Sequence, residues 1–401
     1  MFDSIFIGTS GLIGYSKGLR VVSNNLANVN TPGFKGGQLQ FADYMYDGSG
    51  SQSVNFAGGV NYGSTRLGTG LNTLATDINF RAGNAQSTGN DLDLMINGNG
   101  YFVVNDKGDQ KYTRNGSFSF KDGFLVESTS GLRIQGFDTN GKLGDIALAP
   151  LLTQAPKITS TVKLSGNIAN DIIANGTTQL NSVTVIDNNG GSHSLTFTLT
   201  KSISGSNFTF ALSSLDAGVT MGSPASITFG VGGIINPANS KVTVNYTPSG
   251  GSPMTLQLDF GLVSSNTPTG SLAFSSQDGY VTGALSAVTF ETDGKLKATY
   301  SNGQTASGPS LALASFESNS DLRQLGGNLF DSIDANKVHL GAAKTGSLGS
   351  LTAKTLEGSN VDLAQEFSNL IVMQRGYQAS SRVVSTANEL IQELFDMKGR
   401  N

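Results

Sequence analysis

The chain of 401 residues has no cysteine, no tryptophan and only two histidines. Without cysteine it has no disulfides, no thiol nucleophile and no cysteine-ligated zinc. The histidines, His193 and His339, lie far apart, and neither stands in an H-E-x-x-H pattern. A zinc site or a histidine-activated nucleophile is therefore not expected. These absences predict a protein that is not an enzyme.

Motifs that bind phosphate or build a hydrolase site are also missing. There is no G-x-S-x-G elbow and no P-loop, and the glycine clusters at Gly58 and Gly232 belong to no strand-G-x-G-x-x-G-helix unit. Asp91 and Asp93 resemble paired carboxylates, but their alternation with leucines predicts the outward face of a strand. We predict no catalytic residue, no metal site and no cofactor.

Charge is scarce, since charged residues make up 13% of the chain and the net charge is -4. The lysines and arginines are scattered, which gives no electrostatic footprint for nucleic acid or for an anionic membrane. No run approaches the roughly 18 apolar residues of a membrane span. The N-terminus also lacks the basic and continuous apolar regions of a cleaved signal peptide. We expect no nucleic-acid partner, no membrane insertion, and export without a cleaved signal.

Glycine, in contrast, is abundant, with 52 residues. Many glycines follow Asn or Asp beside alternating apolar runs, which is the signal of a β-hairpin turn. Seven of the nine prolines lie between Pro150 and Pro268, so this stretch is predicted to be a separate β domain. The Asn-Gly and Asp-Gly pairs begin at Asn97, Asn99, Asn115, Asn140, Asn175, Asn189, Asn302, Asp47, Asp122, Asp278 and Asp293.

Both ends of the chain carry a heptad stripe, in which apolar or small residues recur at alternating steps of three and four. The sequence Thr31-Pro32-Gly33 stops the first helix. Ser359 and Asp362 suggest a capping box before the second. Because a lone amphipathic helix is marginal in water, the stripes must bury each other or those of other copies. The predicted polymerisation interface is Ile5, Leu12, Tyr15, Leu19, Val22, Leu26, Leu370, Met373, Tyr377, Val384, Ile391 and Leu394.

The fold class predicted from these signals is mixed and mainly β, with a terminal α-helical coiled-coil element and nested, discontinuous β domains. If the two ends meet, everything between them must go out and return. The predicted parts are a terminal helical polymerisation domain (1–30 with 356–401), a flexible connecting segment (31–75), an inner β domain (76–149 with 284–355) and an outer β domain (150–283).

Two end motifs identify a family. Residues 23–35, SNNLANVNTPGFK, resemble the N-terminal signature of flagellar rod and hook proteins, and residues 356–390, LEGSNVDLAQEFSNLIVMQRGYQASSRVVSTANEL, resemble their C-terminal signature. The stretch 296–316 and the large Pro-bearing insert are similar to hook proteins and favour hook over rod. The family-motif residues carried by this chain are Asn24, Asn25, Ala27, Asn28, Thr31, Gly33, Phe34 and Lys35.

The resemblance implies a structural subunit of the flagellar hook that polymerises into a flexible curved tube, a universal joint between rod and filament. It implies self-association as a helical homopolymer, contacts with rod, hook-cap and hook-filament junction proteins, and an extracellular place on the flagellum. It also implies passage through the flagellar type III export apparatus, for which Phe2 and Phe6 have the spacing of an early-substrate signal. Both phenylalanines could instead simply flank the helix stripe.

Three alternatives stay open at this point. A rod subunit would share both end motifs. A secreted β-rich adhesin or binding module would show large apolar clusters in residues 150–283 and would not polymerise. A secreted hydrolase would need convergent carboxylates in a concave pocket.

Overall fold

A computed structural model describes residues 2–43, 70–204, 207–223 and 225–398. Two α-helices lie at the two ends, α1 (Phe2–Ala27) and α2 (Leu363–Lys398). Among the described residues no helix is long and apolar enough to cross a membrane.

The first strands run from the end of α1 to the middle of the chain. They are β1 (Gly37–Asp43), β2 (Leu71–Ile78), β3 (Ala85–Ser87), β4 (Leu94–Asn97), β5 (Tyr101–Asp106), β6 (Asp109–Thr113), β7 (Phe118–Lys121), β8 (Phe124–Glu127), β9 (Arg133–Phe137), β10 (Leu143–Asp145), β11 (Thr153–Gln154), β12 (Thr161–Asn167), β13 (Thr177–Ile186), β14 (Ser192–Ser204) and β15 (Asn207–Ser213).

The remaining strands lead to α2. They are β16 (Val219–Met221), β17 (Ser226–Phe229), β18 (Lys241–Tyr246), β19 (Met254–Ser264), β20 (Ala273–Gln277), β21 (Gly283–Phe290), β22 (Lys295–Tyr300), β23 (Thr305–Leu311), β24 (Leu313–Phe316), β25 (Leu322–Gln324), β26 (Leu329–Ser332), β27 (Val338–Gly341), β28 (Ser350–Ala353) and β29 (Thr355–Glu357). Short 3-10 helices lie at Ala149–Leu151, Val231–Gly233, Pro237–Asn239, Asn319–Asp321 and Ala335–Lys337.

The chain forms two compact units. The end unit holds both helices and consists of Met1–Leu148, Thr289–Lys297 and Ser307–Asn401, and the central unit consists of Ala149–Val288 and Ala298–Ala306. Of the predicted connecting segment 31–75, residues 44–69 lie outside the described residues, while β1 pairs with β2 as an antiparallel ribbon.

The end unit is built on a sheet with the strand order β9-β5-β6-β26-β25. Its core contains aromatic side chains that meet edge to face, such as Tyr101 with Phe330 at a ring distance of 5.6 Å. The ribbon β1–β2 packs on α1, where Phe41 lies 5.9 Å from the Tyr15 ring. Two further ribbons, β4 with β28 and β3 with β29, join the residues before the sheet to those before α2. This pairing brings the two ends of the chain to one place.

The central unit is a sandwich of two sheets, with the orders β16-β18-β19-β12-β20 and β13-β14-β15-β17. Strand β18 alternates buried and open positions, as a strand with one core face must. Val242 and Leu258 of the first sheet and Phe197 and Phe210 of the second belong to one buried cluster. This hydrophobic core comes from one continuous stretch of chain, residues 162–263.

The hairpin signals are confirmed at several turns. Between β7 and β8, Asp122 and Gly123 both have positive φ, 52° and 78°, as a two-residue type I′ turn requires. The pairs beginning at Asn140, Asn189 and Asp293 also lie between successive strands. Asn97 is instead the last residue of β4, and Asp47 lies outside the described residues.

The mainly β fold with a helix at each end is confirmed, but two local predictions were wrong. Asp91 and Asp93 precede β4 rather than lining its outer face, because the chain turns there: Asp93 is buried and accepts a bond from Asn90, while Asp91 pairs with Lys354. The helix cap is Asp362 alone, whose carboxylate accepts the backbone N–H groups of residues 364 and 365, whereas Ser359 bonds only Val361.

Candidate assembly site

The helices α1 and α2 pair in antiparallel directions inside one chain. Gly8 lies against Val384, Gly11 against Ser380, and Gly18 against Met373. Residue numbers therefore rise along α1 where they fall along α2. Near the end of α1, the Asn25 amide donates to the Glu366 carboxylate at 3.1 Å. The pairing therefore runs along nearly the whole length of α1.

Glycine makes this close approach possible. A Cβ on Gly8 would lie 2.6 Å from the Cγ2 atom of Val384, and a Cβ on Gly376 would lie 2.4 Å from the Tyr15 ring. Such distances are too short for real contacts, so any larger residue must push the helices apart. The seam between the helices is thus filled within one chain by small residues facing large ones.

The predicted polymerisation residues fall into three groups. Val22 is buried. Tyr377 is 42% exposed because α2 turns Gly376 and Ser380 toward α1 instead, and Leu394, ten residues beyond the contact of Val384 with Gly8, is 47% exposed. Their part in contacts between copies stays a prediction. The half-buried group is Ile5, Leu12, Tyr15, Leu19, Leu26, Leu370, Met373, Val384 and Ile391.

Outside the seam, both helices expose large apolar side chains. A surface helix of a complete globular protein normally turns such residues inward. Here they lie around the sides of the pair. The exposed apolar residues of the helices are Phe6, Ile7, Ile13, Leu363, Phe367, Ile371, Val372, Tyr377, Val383, Leu390, Leu394, Phe395 and Met397.

The N-terminal motif ends in a turn locked against the sheet. Gly33 has a φ of 70°, and a Cβ there would lie 2.6 Å from the backbone nitrogen of Asn115. Its own N–H donates to the Glu357 carbonyl at 2.7 Å, and the next residue, Phe34, is buried. Only glycine fits this position, which explains its place in the motif.

Beside this turn lies a buried charge cluster, made of Lys35, Arg114 and Glu357. The Lys35 ammonium donates to one Glu357 oxygen at 2.5 Å, and the Arg114 guanidinium reaches the other at 3.3 Å. The Glu357 side chain is 0% exposed. The cluster joins three stretches of sequence, 30–37, 113–116 and 355–360, into a single site.

Backbone groups complete the cluster. Lys35 donates to the carbonyl of Arg81 at 2.7 Å, Gly83 donates to Glu357 at 2.9 Å, and Arg114 donates to the carbonyl of Gly98 at 2.8 Å. Buried charges are tolerated only when paired and hydrogen-bonded in this way. The arrangement is a buried structural clamp.

Burial shapes the ionisation of the site. It is the largest influence on the pKa of Lys35 and lowers it, while the Glu357 carboxylate acts in the opposite direction. Burial also raises the pKa of Tyr101 to about 12, although the Arg114 guanidinium lies 5.2 Å from its ring centre. The phenol therefore stays neutral at physiological pH.

Asparagine side chains tie the ends of the two helices to this clamp. The Asn25 amide both donates to the Gly37 carbonyl, at 2.7 Å, and accepts the Gly37 N–H, at 2.9 Å, as a strand would. The Asn360 oxygen accepts the Gly36 N–H at 2.8 Å, and its amide donates to the Asn79 carbonyl at 2.6 Å. One asparagine from each end motif thus holds the chain leaving α1.

The other motif residues shape the end of α1. Asn28 donates to the carbonyl of Asn24 at 2.9 Å and accepts the Thr31 hydroxyl at 3.1 Å. These bonds satisfy groups that the helix terminus leaves open. Ala27 is the last helical residue. Phe6, one of the two candidate export residues, is 48% exposed on α1.

Sequence reasoning missed Arg114, Glu357 and Asn360 as parts of the site. For Arg114 and Glu357 the signal was a charged residue in a chain where charge is rare. Their role becomes visible only when Lys35 and Glu357, 322 positions apart, are seen to pair. The described residues contain no group of three or more metal-ligating side chains. His193 contacts Asp187 at 2.8 Å, and His339 is exposed near Glu317.

Comparison with known proteins places this architecture in a class. The ends match the family models described as "Flagella basal body rod protein", over residues 5–35, and "Flagellar basal body rod FlgEFG protein C-terminal", over residues 352–397. Residues 95–179 match "Flagellar hook protein FlgE/F/G D1 domain". The chain is thus of the class of flagellar rod and hook proteins.

Relatives that match over their whole length narrow the class. The chain is 30% identical to the flagellar hook protein FlgE of Borreliella burgdorferi over 453 residues, covering 99% of this chain and 100% of the relative. It is 28% identical to FlgE of Escherichia coli (strain K12), covering 97% and 98%. The chain belongs to the flagellar hook protein family, which confirms the resemblance in its end motifs.

A solved structure was also compared. The crystal structure of Helicobacter pylori flagellar hook protein FlgE2 matches with a TM-score of 0.37 and 15% identity, covering 68% of this chain and 100% of that one.

Proposed function

We propose that this chain is the structural subunit of a flagellar hook, and that its copies polymerise through their terminal helices into a flexible curved tube. The tube would act as a universal joint between rod and filament, outside the cell. The protein performs no chemical step and needs no cofactor. Its functional sites are contacts between copies.

One observation carries this proposal: the paired end helices expose more large apolar residues than they bury. Val372, for example, is 60% exposed and Phe367 is 51% exposed, although the same helix is held in place by α1. A contiguous apolar surface of this kind marks a protein interface. Because the seam is filled within the chain, neighbouring copies must use the outer sides of the helix pair.

The clamp at Lys35, Arg114 and Glu357 supports the mechanical role. It attaches the chain that leaves α1 and the chain that enters α2 to one β unit. A force on the helices is therefore transmitted to the sheet. The family membership favours a hook subunit over a rod subunit and over an adhesin. Rod, hook-cap and junction proteins, and the type III export apparatus, are the further partners that the resemblance implies.

The test is electron microscopy of motility organelles from the source bacterium with this gene deleted. We expect a rod without hook or filament, and restoration by the wild-type gene. Val372→Asp should restore neither, because it places a carboxylate in an apolar contact between copies at a cost of several kcal/mol.

Ile173→Asp is the matched control, since Ile173 is 78% exposed in the central unit. This variant should assemble normally. Complete hooks in the deletion strain would overturn the proposed function, and normal assembly of Val372→Asp would remove the helices as its interface.

A further inference from the structure

The two end helices differ in length, and the difference leaves one of them partly unpaired. α1 has 26 residues and α2 has 36. Since Gly8 is opposite Val384, the start of α1 is level with about residue 389 of α2. Residues 389–398 of α2, here named the overhang, extend past the paired region.

The overhang exposes large apolar side chains. Leu390 and Leu394 are about half exposed, and Phe395 and Met397 are 67% and 69% exposed. A helix that projects alone into water gains nothing from such residues, and short unpaired helical segments are marginal. The overhang therefore needs a partner surface that is at least partly apolar.

The overhang is also acidic in a way that destabilises it alone. Glu389, Glu393 and Asp396 are all exposed, and they lie three or four residues apart on one side of the helix. Like charges at this spacing repel, and acidic groups near a helix C-terminus oppose the helix dipole. No ion pair joins any of the three to a cation whose side chain the structure describes.

The side of α1 that faces away from α2 has the matching properties. Ile13 is 58% exposed there, and Lys17 and Arg20 are exposed as well. Lys17 donates to the Thr73 hydroxyl at 2.9 Å, but neither cation contacts a carboxylate of the described chain. This free face of α1 combines an apolar residue with two positive charges.

We propose that the overhang of one copy docks on the free face of α1 in a neighbouring copy, with Glu389, Glu393 and Asp396 beside Lys17 and Arg20. The inference rests on the proposed function, because it needs a polymer. The contact joins the outer side of α2 to the outer side of α1, so it is head-to-tail and propagates from copy to copy.

The charges also select the axial register of the contact. Within one chain Gly18 lies opposite Met373, two residues from Arg375. If neighbouring copies were not shifted along the axis, Arg375 of one copy would lie within a helical turn of Lys17 and Arg20 of the other and would repel them. Glu393 lies twenty residues beyond Met373, so an axial shift of about 30 Å brings the acids to the cations at 1.5 Å per residue. Repulsion excludes the first register, and attraction favours the second.

Charge reversal in the full chain tests this docking. Arg20→Glu and Glu393→Arg each place like charges at every contact, which should lower the yield of hooks in the gene-deleted strain by about tenfold or more. The secreted subunit should accumulate unpolymerised. The double variant Arg20→Glu with Glu393→Arg should recover hooks to within about threefold of wild type, because the pair is restored with its polarity exchanged.

The matched control is Arg382→Glu with Glu393→Arg, which makes the same net change in charge at another exposed α2 arginine but leaves Arg20 facing Arg at 393. This control should not assemble. Its recovery in place of the first double variant would mean pairing between two α2 helices, and normal hooks from both single variants would mean no charge contact at all. Either result overturns the docking while leaving the hook function, tested by the gene deletion, intact.

Discussion

The two units of the chain differ in how far apart in sequence their buried residues lie. The central unit draws its hydrophobic core from residues 162–263, a single continuous stretch, and its buried charged residues, Asp187 and Lys201, come from the same stretch. The end unit buries Lys35, Arg114, Glu127 and Glu357, and its charge cluster unites residues 322 positions apart. The central unit can satisfy its core by itself, whereas the end unit is complete only when both ends of the chain are in place.

This difference separates stability from assembly. A buried ion cluster contributes little net stability compared with apolar packing, but removal of one member leaves the others unpaired in the interior. The charges of the cluster are therefore all paired only when both ends of the chain are in their correct places. In the proposed polymer, the exposed helices would then present their outer sides to other copies in a fixed orientation.

The largest expected effect is at the centre of the clamp. Glu357→Gln removes the carboxylate that contacts both Lys35 and Arg114. The end unit should lose about 3–5 kcal/mol of stability, since two cations stay buried without their counter-charge. Hydrogen exchange of the full chain, followed by mass spectrometry, should show faster opening in the end unit only.

Glu317→Gln is the control for this change. Glu317 is 63% exposed and faces His339 at 3.6 Å, so its loss should cost less than about 0.5 kcal/mol. Unaltered exchange in the Glu357 variant, or equal effects in both units, would contradict the division between them.

A smaller effect is expected in the helix seam. Gly376→Leu places a side chain where a Cβ alone would lie 2.4 Å from the Tyr15 ring. Forced separation of the helices should cost about 1–3 kcal/mol, partly offset by the better helix propensity of leucine. Circular dichroism at the helix band should show earlier melting.

The control for the seam is Gln378→Leu, two residues along α2 on its exposed side. It should melt like the wild type. If the two variants melted alike, the close approach at Gly376 would have no energetic weight, and the helices would be held by the clamp alone.

The sequence was sufficient for the helices and most turns, since heptad spacing and Asn-Gly or Asp-Gly pairs are local signals. The sequence was not sufficient to predict which side of each helix packs against the other helix. The predicted stripe contains Tyr377 and Leu394 because it was drawn through apolar residues. The seam instead contains Gly376 and Ser380, because small residues let the two helices approach closely. Glycine counts as neutral in an apolar pattern, so its packing role stays hidden until both helices are placed.

The clamp was hidden for a different reason. Lys35 and Glu357 lie in opposite end motifs, and nothing local tells that their charges meet. A lysine after a turn is normally solvated, and its burial depends on the ribbons formed by β3 with β29 and β4 with β28. Long-range pairing of this kind has no signal in a single sequence.

The smallest effect on the end unit is expected from the largest change, removal of the central sandwich. Lys157 and Tyr280 exchange two backbone hydrogen bonds, of 2.9 and 3.0 Å, so the chain enters and leaves the sandwich at adjacent points. A short Gly-Ser bridge can therefore replace residues 158–279. Insertions whose ends lie together are removed at little cost to the host.

Hydrogen exchange in the end unit of this deletion variant should match the wild type to within about 0.5 kcal/mol, because no clamp or seam residue is lost. Its helices should still polymerise, but contacts between outer domains, which would bias the tube toward a curved form, are gone. Electron micrographs should show straight or irregularly curved hooks.

Phe197→Asp, which places a carboxylate in the sandwich core, keeps the polypeptide but unfolds the domain, so it should give the same shapes. Secreted subunit with no tube would mean that the sandwich forms part of the wall, and unchanged curvature would remove its role in shaping the hook.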